Sequence, residues 1–82
     1  MNKEFIEFHS TILSNLEFLR KRKGLSLEAT GKKLELSKSG YRKIEKGESQ
    51  ISLRQLHTLS LIYEVSLRNL IFDDLQKPIL NE

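Results

Sequence analysis

The sequence contains no cysteine and no tryptophan, and one proline in 82 residues. Without cysteine the chain can form no disulfide, thiolate metal site or cysteine nucleophile, and a reducing cytoplasm is the expected compartment. No apolar run approaches the roughly 18 residues that a membrane span needs, and the first residues do not open a signal peptide. So short a chain needs nearly every apolar side chain for one core, which argues against a deep substrate pocket.

Residues for acid–base or metal chemistry are also scarce. The two histidines, His9 and His57, have no second ligand at helical spacing, whereas a zinc site needs three or four ligands. Ser10 follows His9 directly, and neighbours on a helix point in different directions, so they cannot form a nucleophile–base pair. No glycine-rich phosphate loop is present. We therefore expect no enzyme activity, no metal and no cofactor.

The basic residues are concentrated in the middle third of the chain. The formal net charge is +3, but residues 20–46 contain ten Lys or Arg residues against three Glu residues. Residues 1–19 and 47–82 each contain two more acidic than basic residues. A positive region between acidic flanks favours a polyanionic partner such as nucleic acid, although a solvated helix face would carry the same charge.

Apolar residues recur at helical spacing along most of the chain. A first stripe predicts a helix near 3–23 that ends at Gly24, and it consists of Phe5, Phe8, Ile12, Leu16 and Leu19. Four serines that each follow an apolar residue are predicted helix N-caps: Ser26, Ser37, Ser52 and Ser66. The prediction is an all-α, compact five-helix domain with helices near 3–23, 27–34, 38–46, 53–63 and 67–76.

The second and third helices are separated only by residues 35–37, a turn length typical of a helix-turn-helix motif. Gly31, inside the second helix, would cost about 1 kcal/mol relative to Ala if it were exposed, so we expect the third helix to approach it closely. The third helix carries five polar or basic residues in a short span: Lys38, Ser39, Arg42, Lys43 and Lys46. An exposed basic helix of this size fits the DNA major groove.

Several short segments match a known family in order and spacing, without a gap. The first segments are Leu16 with Leu19-Arg20, and residues 23–26, 36–39 and 44–47. The match then continues from residues 51–53 through residues 65–67 and includes Leu70. Residues 12–72 thereby resemble the helix-turn-helix domain of lambdoid-phage repressor and Cro proteins and their bacterial relatives, the xenobiotic-response-element type regulators. The resemblance implies a lambda-repressor-like DNA-binding fold. We expect one domain over 1–82, with a core near 12–72, an N-terminal extension of the first helix and a short tail at 77–82.

The resemblance also implies roles for individual residues. Lys38, Ser39, Arg42 and Lys43 occupy positions where family members contact base edges or nearby phosphates, while Arg20 and Glu45 match a structural ion pair. The full set of DNA-binding candidates is Ser26, Leu27, Ser37, Lys38, Ser39, Gly40, Arg42, Lys43 and Lys46.

Five positions depart from the family pattern. Leu27 replaces a glutamine that anchors the second helix to a phosphate, and Thr30 replaces a usual core leucine. Glu35 and Glu64 replace glycines at helix ends, where a left-handed backbone would cost each roughly 1 kcal/mol. Gly40 weakens the third helix locally but lets its backbone come close to DNA.

Some apolar residues fall on faces opposite the predicted core, Phe18 and Leu61 among them. Others crowd the fifth helix and the tail, which favours a self-association surface or a docked tail. Related domains commonly dimerise through the fifth helix, so the candidate dimer residues are Arg68, Ile71, Phe72 and Leu75.

The leading hypothesis is a cytoplasmic, sequence-specific transcriptional regulator, a homodimeric repressor that inserts helix 38–46 into the major groove of double-stranded DNA. The alternative is a protein-interaction module on the same fold, such as an antitoxin or adaptor, with a protein partner bound through the C-terminal region. Leu27 and Gly40 favour this alternative. Such a module would bind DNA weakly and without base preference.

Overall fold

A computed structural model describes residues 2–76, which form five α-helices and no strand within that range. The helices are α1 (Lys3–Lys23), α2 (Leu27–Lys33), α3 (Lys38–Glu45), α4 (Leu53–Tyr63) and α5 (Leu67–Phe72). The predicted all-α, five-helix architecture is confirmed. Helices α2 and α3 each end one residue earlier than predicted. The predicted tail at 77–82 lies outside the described residues.

Serine side chains begin four of the helices, as the sequence predicts. Each of Ser26, Ser37, Ser52 and Ser66 accepts a hydrogen bond from the backbone N–H three residues later, at 2.9–3.0 Å. Ser52 also donates its backbone N–H to the side chain of Gln55, which completes a capping box. Because these bonds close within one turn, the helix starts are determined by local sequence.

Helix α1 is the element against which α3, α4 and α5 pack. The buried apolar side chains are Ile12, Leu16 and Leu19 of α1, Tyr41 and Ile44 of α3, Leu56, Leu59 and Tyr63 of α4, and Leu70 of α5. Thr30 is fully buried in α2, and its hydroxyl donates to the carbonyl of Ser26 at 3.0 Å. This local bond satisfies the polar atom that replaces a core leucine.

Two glutamates occupy left-handed backbone positions at the ends of helices. Glu35 has φ 61° after α2, and Glu64 has φ 58° after α4. The helix ends therefore keep the conformation that glycine adopts most readily, and each glutamate costs roughly 1 kcal/mol there. Glu64 also forms an exposed ion pair with Lys23, at 3.2 Å between Nζ and Oε2.

Helix α5 ends at Phe72, so the prediction that it reaches residue 76 is wrong. The buried side chain of Asn15 donates to the carbonyls of Leu70 and Asp73, at 2.9 and 2.7 Å, and accepts from the N–H of Leu75 at 3.0 Å. Asp73 is accordingly extended, with ψ 151°. The amide thus supplies partners for backbone groups that a longer helix would have paired internally.

The predicted stripe of α1 is buried only from Ile12 onward. Phe5 and Phe8 are 43% and 42% exposed, and every described residue before His9 is exposed. Phe18, which was predicted to face away from the core, is half-buried and packs against it instead. The guanidinium of Arg22 lies over the Phe18 ring, 5.4 Å from its centre.

Candidate nucleic-acid interface

Helix α3 approaches α2 closely at Gly31. A Cβ atom there would lie 2.9 Å from the carbonyl oxygen of Ser37 and 3.3 Å from the Cβ of Tyr41. The carbonyl of Gly31 accepts the N–H of Leu36 at 2.8 Å. The close approach that the sequence predicts is therefore confirmed, and it orients α3 relative to α2.

The two sides of α3 differ sharply in exposure. Tyr41 and Ile44 are buried. The opposite side, which we call the recognition face, consists of exposed residues only: Lys38, Ser39, Arg42, Lys43 and Lys46. None of its four cations forms an ion pair within residues 2–76. The acidic side chain of α3, Glu45, is turned inward and is 5% exposed. The recognition face is thus positively charged and open to solvent.

Arg20 of α1 and Glu45, the last residue of α3, form a bidentate ion pair. Arg20 Nε and Nη2 donate to the two carboxylate oxygens of Glu45 at 2.9 and 3.1 Å, and Nη1 donates to the carbonyl of Leu25 at 3.0 Å. The Arg20 side chain is 11% exposed, and its hydrogen bonds with Glu45 raise its pKa above the usual value. Neither side chain is free to contact DNA, and together they tie the end of α3 to α1.

Two tyrosines extend this network to α4. The Tyr41 hydroxyl donates to Glu45 Oε2 at 2.6 Å, and the Tyr41 and Tyr63 hydroxyl oxygens lie 3.4 Å apart. Burial, followed by the hydrogen bond with Glu45, raises the pKa of Tyr41, and burial also raises that of Tyr63. Both hydroxyls therefore stay protonated. The role of the Tyr41 hydroxyl was not predicted, although its position four residues before Glu45 places the two side chains on adjacent turns.

Asn15 was also missed by the sequence analysis. Its position three residues after Ile12 and one before Leu16 places an amide within the apolar stripe of α1. A polar residue on a buried face needs hydrogen-bond partners, and that was the available signal. The structure supplies the partners from α5 and the residues after it.

The start of α2 lies beside the recognition face. Ser26 uses its hydroxyl to cap the helix, accepting from the N–H of Ala29 at 3.0 Å. Leu27 is half-buried and lines a shallow depression together with Lys21, Arg42 and Lys46. Its side chain has no hydrogen-bond donor, so it cannot bind a phosphate as glutamine would. Gly40 is half-buried in the first turn of α3, beside the Ser37 cap.

The four candidate dimer residues differ in accessibility. Ile71 and Leu75 are half-buried and pack against the core. Arg68 is exposed, and Phe72 is 72% exposed. Only Arg68 and Phe72 therefore present most of their side chains to another molecule.

Within residues 2–76, no three His, Asp or Glu side chains are grouped closely enough to hold a metal ion. In that same range, no helix combines the length and hydropathy required to cross a membrane.

A helix-turn-helix family model of the Cro/C1 type matches residues 16–70, which is more than half of the chain. Comparison with curated proteins and with solved structures finds no significant match. The match spans α2, α3 and the turn between them, where the close approach at Gly31 and the capped α3 form the motif itself. The chain belongs to the Cro/C1-type helix-turn-helix family, a family of DNA-binding regulatory domains.

Proposed function

We propose that the protein is a sequence-specific transcriptional regulator, a cytoplasmic homodimeric repressor that inserts α3 into the major groove of double-stranded DNA. The observation that carries this proposal is the recognition face, where four unpaired cations and Ser39 stand exposed on one side of a short helix. The other side of that helix is held by Tyr41, Glu45 and Arg20. Because the scaffold is held in place before binding, little ordering is needed when DNA docks.

The recognition face divides into two kinds of contact. Arg42 and Lys43, with Lys38 and Ser39, read base edges, since Arg and Lys match the acceptors of guanine. Lys46 follows the last turn of α3 and neutralises phosphate, which makes affinity fall steeply with salt. Gly40 has no side chain, so the backbone of the first turn of α3 can approach the duplex closely at this residue.

Selection of bound duplexes from a randomised pool, at near-physiological salt, tests this function. A two-fold symmetric motif with half-sites about one helical turn apart is expected. Arg42→Ala and Lys43→Ala should each weaken binding to the selected duplex by about 1–3 kcal/mol, with unchanged thermal unfolding. Arg54→Ala removes one exposed charge from α4, outside the recognition face, and serves as the control. Wild-type affinity in both α3 variants would contradict the proposal.

A second candidate function is a protein-interaction module, such as an antitoxin or adaptor. Leu27 favours it, because an apolar side chain in the depression that Arg42 and Lys46 also line suits a protein contact better than a phosphate. A protein partner would then bind at the C-terminal region around Phe72. No enriched motif from the randomised pool, together with weak and salt-sensitive DNA binding, would favour this module over the regulator.

A further inference from the structure

An exposed cluster of aromatic side chains lies at the N-terminal end of α1, outside the residues that the family model matches. The Phe5 and Phe8 ring centres are 6.4 Å apart, and the Phe8 and Phe72 ring centres are 6.2 Å apart. His9 stacks on Phe5 at 5.5 Å. We call Phe5, Phe8 and Phe72 the aromatic patch.

Phe5 and Phe8 of the aromatic patch continue the buried stripe of α1 toward its N-terminus, past the point where the other helices cover it. At 100° per residue, Phe5 lies about 20° from both Ile12 and Leu16 around the helix axis, and Phe8 lies about 40° from Ile12 and about 80° from Leu16. They point in the direction of the core, yet they stay 43% and 42% exposed. With Phe72 at 72%, and taking about 200 Å² per ring, the patch exposes roughly 300 Å² of apolar surface. Contiguous patches of this size often mark interaction sites.

We propose that a second copy of this chain covers the aromatic patch, so that the first turns of α1 and the end of α5 form a two-fold interface. This deepens the proposed function and rests on it, since it names the surface that joins the two subunits of the regulator. Two patches facing each other would bury roughly 600 Å² of apolar surface. That is rather more than a third of a standard interface of about 1,600 Å² in total, and the residues around the patch would supply the rest.

The charges around the aromatic patch are self-complementary. Glu4 precedes Phe8 by one helical turn on α1, and Arg68 precedes Phe72 by one turn on α5. In the described residues no ion pair joins Glu4 and Arg68 within one copy. A two-fold interface repeats every contact reciprocally, so it can set Arg68 of each copy against Glu4 of the other. The opposite charges of Glu4 and Arg68 therefore allow two reciprocal ion pairs across an interface between two copies.

Sedimentation of the full chain without DNA tests this interface. The wild type is expected to be a dimer at micromolar concentration, and Phe8→Glu, with or without Phe5→Glu, a monomer with dimerisation at least about a hundredfold weaker. Circular dichroism and thermal unfolding should still show a folded domain, since both side chains lie outside the core. The matched control is Leu53→Glu, which changes an apolar residue of 72% exposure on α4 and should leave the dimer intact.

Two further variants address the charges and the chain end. Arg68→Glu should weaken the dimer, and adding Glu4→Arg should restore it; absence of restoration would overturn the proposed pairing. A chain ending at Gln76 should remain dimeric. A wild type that is monomeric at hundreds of micromolar, or a Phe8→Glu variant that stays dimeric, would overturn the interface.

DNA binding separates this proposal from the proposed function. Folded, monomeric Phe8→Glu should bind an isolated half-site as well as a wild-type subunit does, because the recognition face is unchanged. Loss of binding to a two-half-site duplex in this variant alone supports the interface. If the wild type dimerises through the patch but binds no DNA specifically, the proposed interface is supported and the proposed function as a transcriptional regulator is refuted.

Discussion

Replacing Gly31 with alanine tests how tightly α2 packs against α3. The new Cβ would meet the carbonyl oxygens of Ser37 and Leu36 at 2.9 and 3.0 Å. Both are backbone atoms, so neither can rotate away, and α3 must move as a unit. That movement also strains the hydrogen bond from the Leu36 N–H to the Gly31 carbonyl, now 2.8 Å.

The opposing effects of this substitution can be compared in magnitude. Alanine favours a helix interior over glycine by about 1 kcal/mol. Overpacking of a close contact costs about 1–3 kcal/mol, and a weakened hydrogen bond costs about 0.5–1.5 kcal/mol more. We therefore expect Gly31→Ala to lower the free energy of unfolding by about 1–3 kcal/mol. For a domain of this size, that lowers the melting temperature by about 5–20 °C.

Thermal unfolding followed by circular dichroism measures this effect, with Gly40→Ala as the matched control. A Cβ on Gly40 would lie 3.3 Å from the Ser37 Oγ and 3.7 Å from the Leu36 Cβ. The hydroxyl can shift by a few tenths of an ångström, so Gly40→Ala should be neutral or up to about 1 kcal/mol more stable. Gly31→Ala melting at or above the wild-type temperature would refute the packing argument, as would equal destabilisation by both substitutions.

The remaining predictions concern two of the buried polar residues and one helix end. Asn15→Ala should destabilise the fold by about 2–4 kcal/mol in denaturant titration, because it leaves backbone groups after α5 without partners; an unchanged midpoint would disprove this anchor. Arg20→Ala should cost about 3–5 kcal/mol and lower the melting temperature, since Glu45 would keep a buried charge without its cation; an unaltered melt would argue against a structural role. Glu35→Gly should raise the free energy of unfolding by about 0.5–1 kcal/mol, because glycine adopts the left-handed backbone at this position without strain. Glu35→Ala should leave the free energy of unfolding unchanged, and equal effects of the two substitutions would contradict the argument from backbone strain.

The helix starts and the central turn were predictable because their causes lie within a few residues. Each serine cap binds an N–H three positions later, and Gly31 lies six residues before the Ser37 carbonyl that it accommodates. The basic character of α3 was equally visible in the sequence. The exposure of its recognition face follows once Tyr41 and Ile44 are assigned to the core.

The end of α5 and the extent of the α1 stripe were not predictable in this way. Apolar residues continue past Phe72 at helical spacing, whereas the side chain that binds the backbone where the helix ends, Asn15, lies more than fifty residues earlier. Phe5 and Phe8 continue the helical spacing of the buried residues Ile12, Leu16 and Leu19. Periodicity alone therefore cannot show that the other helices cover α1 only from Ile12 onward. The role of the Tyr41 hydroxyl likewise depends on the position of Tyr63 in α4.

Local sequence was therefore enough to predict the five helices, the helix-turn-helix spacing and the positively charged side of α3, because backbone capping and side-chain periodicity act over one or two turns. The packing of the helices, in contrast, sets which part of each apolar face is covered and which polar side chains are buried together. Those outcomes depend on atoms brought together from distant segments: Arg20 with Glu45, Asn15 with the residues after α5, and Phe8 with Phe72. Local sequence carries no information on such distances, which are set by how the helices pack against one another.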